Sequence, residues 1–215
     1  MREISNGVDS SESEDNLRRA EIMLASLGMV LEDLRKFGLV LDIGARGCEV
    51  EKAARSVKIN SVVSVDRSFP KSIIDSGMKV IQSDAKNLDL EDNKVDLALV
   101  RASAYFYTQT EEETWAILNN INRILKKDGE QRIYPARFGH IVNGILKEIN
   151  SGRSEESWIE GLSDMDPKDT NFYNNLANIR SVEFLEQRGI FVKKREGITL
   201  NANLNFKEYL AVPKF

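Results

Sequence analysis

The sequence predicts an α/β fold: a three-layer sandwich on a mostly parallel seven-stranded sheet, with an antiparallel C-terminal strand and helices on both faces. Three observations predict it. Short β-branched runs alternate with helical patterns between about residues 39 and 135, the rhythm of successive βαβ units. The run Val95-Asp96-Leu97-Ala98-Leu99-Val100 is nearly all apolar, as expected of a central strand covered on both faces. The last two strand candidates, 190–195 and 207–212, are joined by a connection much too short for a parallel crossover, so they are expected to be antiparallel neighbours.

Residues 1–16 are polar, acidic and serine-rich, with few apolar side chains to offset the cost of ordering, and are expected to form a disordered tail. A single domain is expected over 17–215. It opens with a helical cover at 17–37, where Leu17, Ala20, Leu24, Leu27, Leu31 and Leu34 share one stripe and Gly38 supplies the cap. Strands are predicted at 39–43, 61–66, 79–84 and 95–100, with helices at 50–56 and 70–76. The best-defined helix follows. Thr110 is its N-cap, Glu113 completes a capping box, Trp115, Leu118, Ile121 and Leu125 line one face, and Lys126-Lys127-Asp128-Gly129 closes it. A weaker strand at 131–135 precedes helical patterns near 138–150 and 171–188, which flank a polar stretch at 151–170.

Composition narrows the function classes. Lysine and arginine number 30 against 34 acidic residues, a net charge of −4 that counts against a basic nucleic-acid footprint over the whole molecule. One cysteine, Cys48, excludes an internal disulfide, and with one histidine, His140, it excludes a His/Cys zinc cluster. Asp164 and Asp166 stand too isolated to argue for a metal. No apolar run approaches the roughly 18–20 residues of a membrane span, and the start lacks a secretory pattern. A soluble cytoplasmic protein, monomeric by default, is the expectation.

In an open α/β sheet, ligands bind beyond the carboxyl ends of the strands. The first strand ends in Asp42-Ile43-Gly44-Ala45-Arg46-Gly47, where Gly44 permits close backbone approach and Gly47 a tight turn into the helix. Asp66 ends the second strand, 19 positions beyond Gly47, where a carboxylate can accept both hydroxyls of a ribose. Asp84 ends the third and is placed to accept from an exocyclic amine. Each acid has a local alternative: Asp66 as a turn former before Ser68-Phe69-Pro70, and Asp84 as an N-cap. Their recurrence at successive strand ends favours nucleotide binding. Asp96 reads as a strand-start residue.

These stretches resemble the class I, Rossmann-like S-adenosylmethionine-dependent methyltransferases. The likeness rests on Val40-Leu41-Asp42-Ile43-Gly44, Val63-Ser64-Val65-Asp66, Gln82-Ser83-Asp84-Ala85, Val95–Val100 and Ile121-Asn122-Arg123-Ile124-Leu125-Lys126-Lys127-Asp128-Gly129. It covers about 37–135, and the final helix and two strands look like that family's reversed hairpin. The resemblance implies S-adenosylmethionine as cofactor. The loop Asp42, Gly44, Arg46, Gly47 would hold its methionine part, Asp66 the ribose, Asp84 the adenine amine and the Ala85 backbone a ring nitrogen. The Arg101 carbonyl would meet the amino group. A small-molecule acceptor is expected, and by analogy 151–170, bordered by Trp158, Phe172 and Tyr173, is the acceptor lid.

The departures are specific. The family's second and third glycines are replaced by Arg46 and Cys48, so either the loop shifts or Gly47 absorbs the special geometry. Arg46 is read either as a partner for the cofactor carboxylate or as a solvated loop residue. Cys48 is read as a packing residue, with a pKa lowered by the helix N-terminus as the reactive alternative. Arg101-Ala102-Ser103-Ala104-Tyr105-Phe106-Tyr107 lacks both the Asn/Asp-Pro-Pro-aromatic pattern of amide and adenine-nitrogen methyltransferases and the aspartate of metal-dependent members. The catalytic candidates are Tyr105, Tyr107 and His140, against core packing for the tyrosines and a surface position for the histidine. Two other functions remain open: an inactive cofactor-binding or interaction module, and a nicotinamide-dependent dehydrogenase, against which the missing Gly-x-Gly-x-x-Gly spacing and Asp84 count.

Overall fold

A computed structural model describes residues 10–101, 104–151, 170–195 and 209–214. In chain order the elements are α1 (Ser10–Ser26), a 3₁₀ segment (Leu31–Lys36), β1 (Val40–Ile43), α2 (Glu49–Ser56), β2 (Val62–Asp66), α3 (Lys71–Asp75), β3 (Val80–Gln82), a 3₁₀ turn (Ala85–Asn87), β4 (Val95–Arg101), α4 (Glu111–Ile124), β5 (Leu125–Tyr134), α5 (Gly139–Asn150), α6 (Thr170–Glu186), β6 (Lys193–Arg195) and β7 (Tyr209–Pro213). One sheet runs β3-β2-β1-β4-β5-β7-β6. Neighbours from β3 to β5 are parallel, and β7 lies antiparallel between β5 and β6.

Strand alternation sends each face of the sheet to a different core. Leu41, Ile43, Ala98 and Val100 pack with Ile117, Leu118, Ile121 and Ile124 of α4 and with Val182 and Leu185 of α6. Val40, Leu97 and Leu99 pack on the other face with Ala20, Leu24 and Leu27 at α1 and Val50, Ala53 and Ala54 of α2. These are the three predicted layers. The alternation also sends Asp42 toward α2, on the same face as Val40.

Several boundaries differ from the sequence-based expectation, each for a local reason. Helix α1 begins at Ser10, inside the expected tail, and the exposed Asp15 pairs with Arg19 one turn on; residues 1–9 lie outside the described residues. The predicted cover helix of 17–37 is broken. Gly28, at φ 65°, donates to the Ala25 carbonyl while Met29 donates to that of Leu24, so a Schellman motif ends α1 ten residues before Gly38. Lys126–Gly129 belongs to β5 and not to the end of α4; a register shift opposite Val95 and Leu97 absorbs the extra residues. The capping box at Thr110 is present in altered form. Thr110 Oγ1 accepts from the Glu113 amide at 3.3 Å, but Glu113 reaches back to the Gln109 amide at 2.7 Å. The expected lid at 151–170, with Trp158, Asp164 and Asp166, lies outside the described residues beyond Ser151 and before Thr170, as do the side chains of Phe172 and Tyr173.

Two glycine substitutions test this backbone in opposite directions. Gly28→Ala is expected to lower stability by about 1 kcal/mol, because a Cβ disfavours positive φ. In Gly144→Ala, within α5 and with open space around the added Cβ, stability is expected to rise by up to about 1 kcal/mol. Urea unfolding curves at equal m-value check both.

Candidate cofactor cleft

The register sets Ile43 of β1 opposite Val65 of β2 and Val100 of β4, and Asp66 opposite Gln82 of β3. The carboxyl ends of these strands therefore reach one rim. There a cleft of about 660 Å³, including its open mouth, is bounded by Gly44, Asp66 and Asp84, with Ile43, Val65 and Ile117 as apolar surfaces. Ala85 lines it as well. Three of the residues singled out in the sequence, Gly44, Asp66 and Asp84, are thus brought together.

Both acids are oriented by their own turns. One Asp66 oxygen accepts from the Ser68 amide at 3.0 Å, and one Asp84 oxygen accepts from the Lys86 amide at 3.0 Å as the N-cap of the 3₁₀ turn. The turn-forming and cleft-lining readings hold together, since a carboxylate has a second oxygen to offer. Helix α4 fixes the Asp84 side: Asn120 Nδ2 donates to the Ala85 carbonyl at 2.9 Å, while Arg123 donates to the carbonyls of Leu88 (2.8 Å) and Leu90 (2.7 Å). Asp96 anchors the start of β1 by accepting from the Leu39 amide at 2.8 Å and from Lys126.

The loop after β1 is built differently from the expectation. Gly44 takes φ 84°, its amide donating to the Val65 carbonyl at 2.7 Å. Gly47 does not absorb the left-handed geometry; Cys48 does, at φ 54° and ψ 32° as the N-cap of α2. That conformation costs a non-glycine residue roughly 1–2 kcal/mol. At Gly47 an added Cβ would meet only the carboxylate end of the Glu49 side chain, which can swing away, so the backbone does not demand glycine there. Arg46 and Gly47 border a separate hollow with Arg19, Lys52 and Ser72 and are not among the residues that line the cleft.

Beneath the loop sits a buried polar group that sequence reasoning missed in part. Asp42 is 3% exposed and Glu51 1%, with Ser64 and Cys48 fully enclosed beside them. Asp42 Oδ2, Glu51 Oε2 and Ser64 Oγ have no hydrogen-bond partner among the described residues. Burial pushes the Asp42 carboxyl up to about 7, reinforced by Glu49 and Glu51 and opposed by Arg101. It also raises Glu51, despite the bond its carboxylate accepts from the Lys79 amide. Desolvation lifts the Cys48 thiol to about 11, which removes the reactive-thiolate alternative. A helical wheel carries the missed signal: Glu51 adjoins Val50 and Ala54 on the inner face of α2. Neither Asp42 nor Arg101 is among the residues that line the cleft.

The catalytic candidates separate. Tyr105 is core: 2% exposed, packed on Phe138, its hydroxyl donating to Gln131 Oε1 at 2.6 Å. His140 does not line the cleft. Its Nδ1 lies 2.8 Å from Thr114 Oγ1, its ring packs on Phe184, and burial lowers its pKa. Tyr107 does line the cleft and is 60% exposed. Arg67, Ser83, Lys86, Ala104, Thr108 and Glu113 complete the lining; of these, Glu113 stood out in the sequence as a helix cap. No group of three or more His, Cys, Asp or Glu among the described residues is arranged to hold a metal, and no described helix is long and apolar enough to cross a membrane.

A family model described as a methyltransferase domain matches residues 41–133. No curated protein sequence matches the chain. Among solved structures, the chain is similar to a candidate S-adenosyl-L-methionine-dependent methyltransferase of Methanococcus maripaludis, at 20% identity and TM-score 0.53, covering 100% of this chain and 97% of that one. It is also similar to the Burkholderia thailandensis 1,6-didemethyltoxoflavin-N1-methyltransferase with bound 1,6-didemethyltoxoflavin and S-adenosylhomocysteine, at 16% identity and TM-score 0.51, covering 96% and 81%. A third is a candidate methyltransferase of Haloferax volcanii in complex with the Trm112 activator, at 15% identity and TM-score 0.53, covering 95% and 94%.

Two substitutions test the buried groups. Folding raises the proton affinity of Asp42, so its contribution to stability is fully present below the unfolded value of 3.8 and is lost as pH rises through about 7. Asp42→Asn is therefore expected to exceed the wild type in stability above pH 7, by on the order of 2–4 kcal/mol, the difference closing toward pH 4; denaturant titrations across pH check it. Tyr105→Phe, which strands the buried Gln131 amide oxygen, is expected to cost about 1–3 kcal/mol in thermal or urea unfolding.

Proposed function

We propose that this chain is a class I S-adenosylmethionine-dependent methyltransferase, a reading that the methyltransferase-domain match over residues 41–133 and the shared fold support, and that it transfers the methyl group to a small-molecule acceptor from the cleft at the ends of β1, β2 and β3. One observation carries the reading: Gly44, Asp66, Asp84 and Ala85 border a single cleft. The donor set fits the cofactor. Asp66 keeps a carboxylate oxygen for ribose hydroxyls and Asp84 one for the adenine amine, the Ala85 backbone lies beside them, and Ile43, Val65 and Ile117 offer apolar faces for a flat base. Gly44 lets the chain approach closely. Arg46, in its separate hollow, has no part in the adenosine half of this reading.

When bound, the cofactor supplies a methyl group already activated on a sulfonium. The chain's work is then orientation and exclusion of water. Among the described residues, the titratable groups that line the cleft are Asp66, Asp84, Glu113, Arg67, Lys86 and Tyr107. Two are assigned to the cofactor, and Glu113 caps α4. This set favours an acceptor that is nucleophilic without losing a proton first. The neighbour with bound 1,6-didemethyltoxoflavin supports a small acceptor.

Calorimetry with S-adenosylmethionine tests the cofactor assignment. Wild type is expected to bind, and Asp66→Ala to bind at least about tenfold more weakly, as for loss of a charge-assisted hydrogen bond. Radiolabelled methyl transfer into small-molecule fractions of a cell extract, abolished in the same variant, tests turnover. Binding without transfer to any fraction favours the inactive module, for which the displaced glycines at Arg46 and Cys48 speak.

A further inference from the structure

Arg67 and Tyr107 approach each other across the cleft. The Arg67 guanidinium carbon lies 6.0 Å from the centroid of the Tyr107 ring, and both residues line the cavity. Arg67 directly follows the last residue of β2, whereas Tyr107 lies on the segment after β4. Strand β1 runs between those two strands. A contact joining them therefore passes over the carboxyl end of β1, where Gly44 forms the cleft floor.

The aromatic segment itself is unusual in its burial. Tyr105 is in the core, yet Phe106 is 41% and Tyr107 60% exposed, touching edge to face at 5.4 Å. Leaving large rings in water forgoes the stabilisation that burial gives, so packing does not account for their position. Nor does the pair form a two-sided sandwich for a base. Stacking on both faces requires about 7 Å between the flanking groups, at roughly 3.5 Å per contact, and 6.0 Å falls short of that.

We propose that Arg67 and Tyr107 form a bar across the mouth of the cleft, which parts for the cofactor to enter and for S-adenosylhomocysteine to leave. The inference rests on the cleft being the S-adenosylmethionine site. Both residues are positioning residues: they control exchange and retention and touch no reacting atom. An exposed cation–π contact of this kind biases an open–closed equilibrium by about two- to fivefold.

Surface plasmon resonance with S-adenosylhomocysteine tests it. Removing a bar speeds passage both ways, so Arg67→Ala and Tyr107→Ala are each expected to raise the association and dissociation rates together by about two- to fivefold, with Kd nearly unchanged. The double variant should be no faster than the faster single one, and Tyr107→Phe, which keeps the ring, should match the wild type. Should Tyr107→Ala fail to fold, Arg67→Ala and Tyr107→Phe decide the matter. Faster release at unchanged association, or single effects that multiply in the double variant, would overturn the bar and leave the cofactor assignment intact. Failure of the wild type to bind S-adenosylhomocysteine would overturn both.

Discussion

The parallel pairing of β1 with β2 and β4 is the constraint on which the rest of the molecule depends. It brings Ile43, Val65 and Val100 level, so that three chain segments leave the sheet at one height. Asp66 and Asp84 are far apart in sequence and meet only because β2 and β3 lie side by side in that order. A one-residue slip would turn each strand's side chains to the opposite face and exchange the two cores. The fitted packing of Leu41 and Ala98 against α4 on one side, and of Val40 and Leu97 against α1 and α2 on the other, opposes it.

Under the β1–α2 turn the protein accepts a local cost. Asp42, Glu51 and Ser64 are buried with oxygens that find no partner among the described residues, and Cys48 holds a left-handed backbone without being glycine. Buried carboxyls of this kind weaken a fold at neutral pH, and their concentration beside a ligand cleft is typical of functional sites. The surrounding apolar packing of α2 on Val40 and Val62 supports the arrangement. The acid that the sequence presented as part of the loop thus acts from underneath it, adjacent to the cleft and not within it.

Much of this was legible before any coordinates. Period-two and helical patterns located the strands and α4, and acids at strand ends located the cleft, because these signals reflect burial and topology that any sequence of this class must satisfy. What failed was local. The glycine that ends α1 is Gly28, hidden within an apolar stripe that continues to Leu34. Of the two alternatives for the loop, a shift or Gly47 taking the special geometry, the second fails: the left-handed backbone lies one residue later, at Cys48. His140 and Tyr105 suited catalysis by residue type alone. Only packing against Phe184 and Phe138, and the bonds to Thr114 and Gln131, revealed their structural work.

The Arg123–Asn120 anchorage makes the two walls of the cleft unequal. On the Asp84 side, the connection between β3 and β4 is tied to α4 at three carbonyls, those of Ala85, Leu88 and Leu90. The Tyr107 side carries a solvated ring. Tolerance for ligands of different bulk must then be one-sided: a larger guest is accommodated by yielding at the aromatic margin, while the Asp84 margin acts as a fixed template whose dimensions the guest has to match.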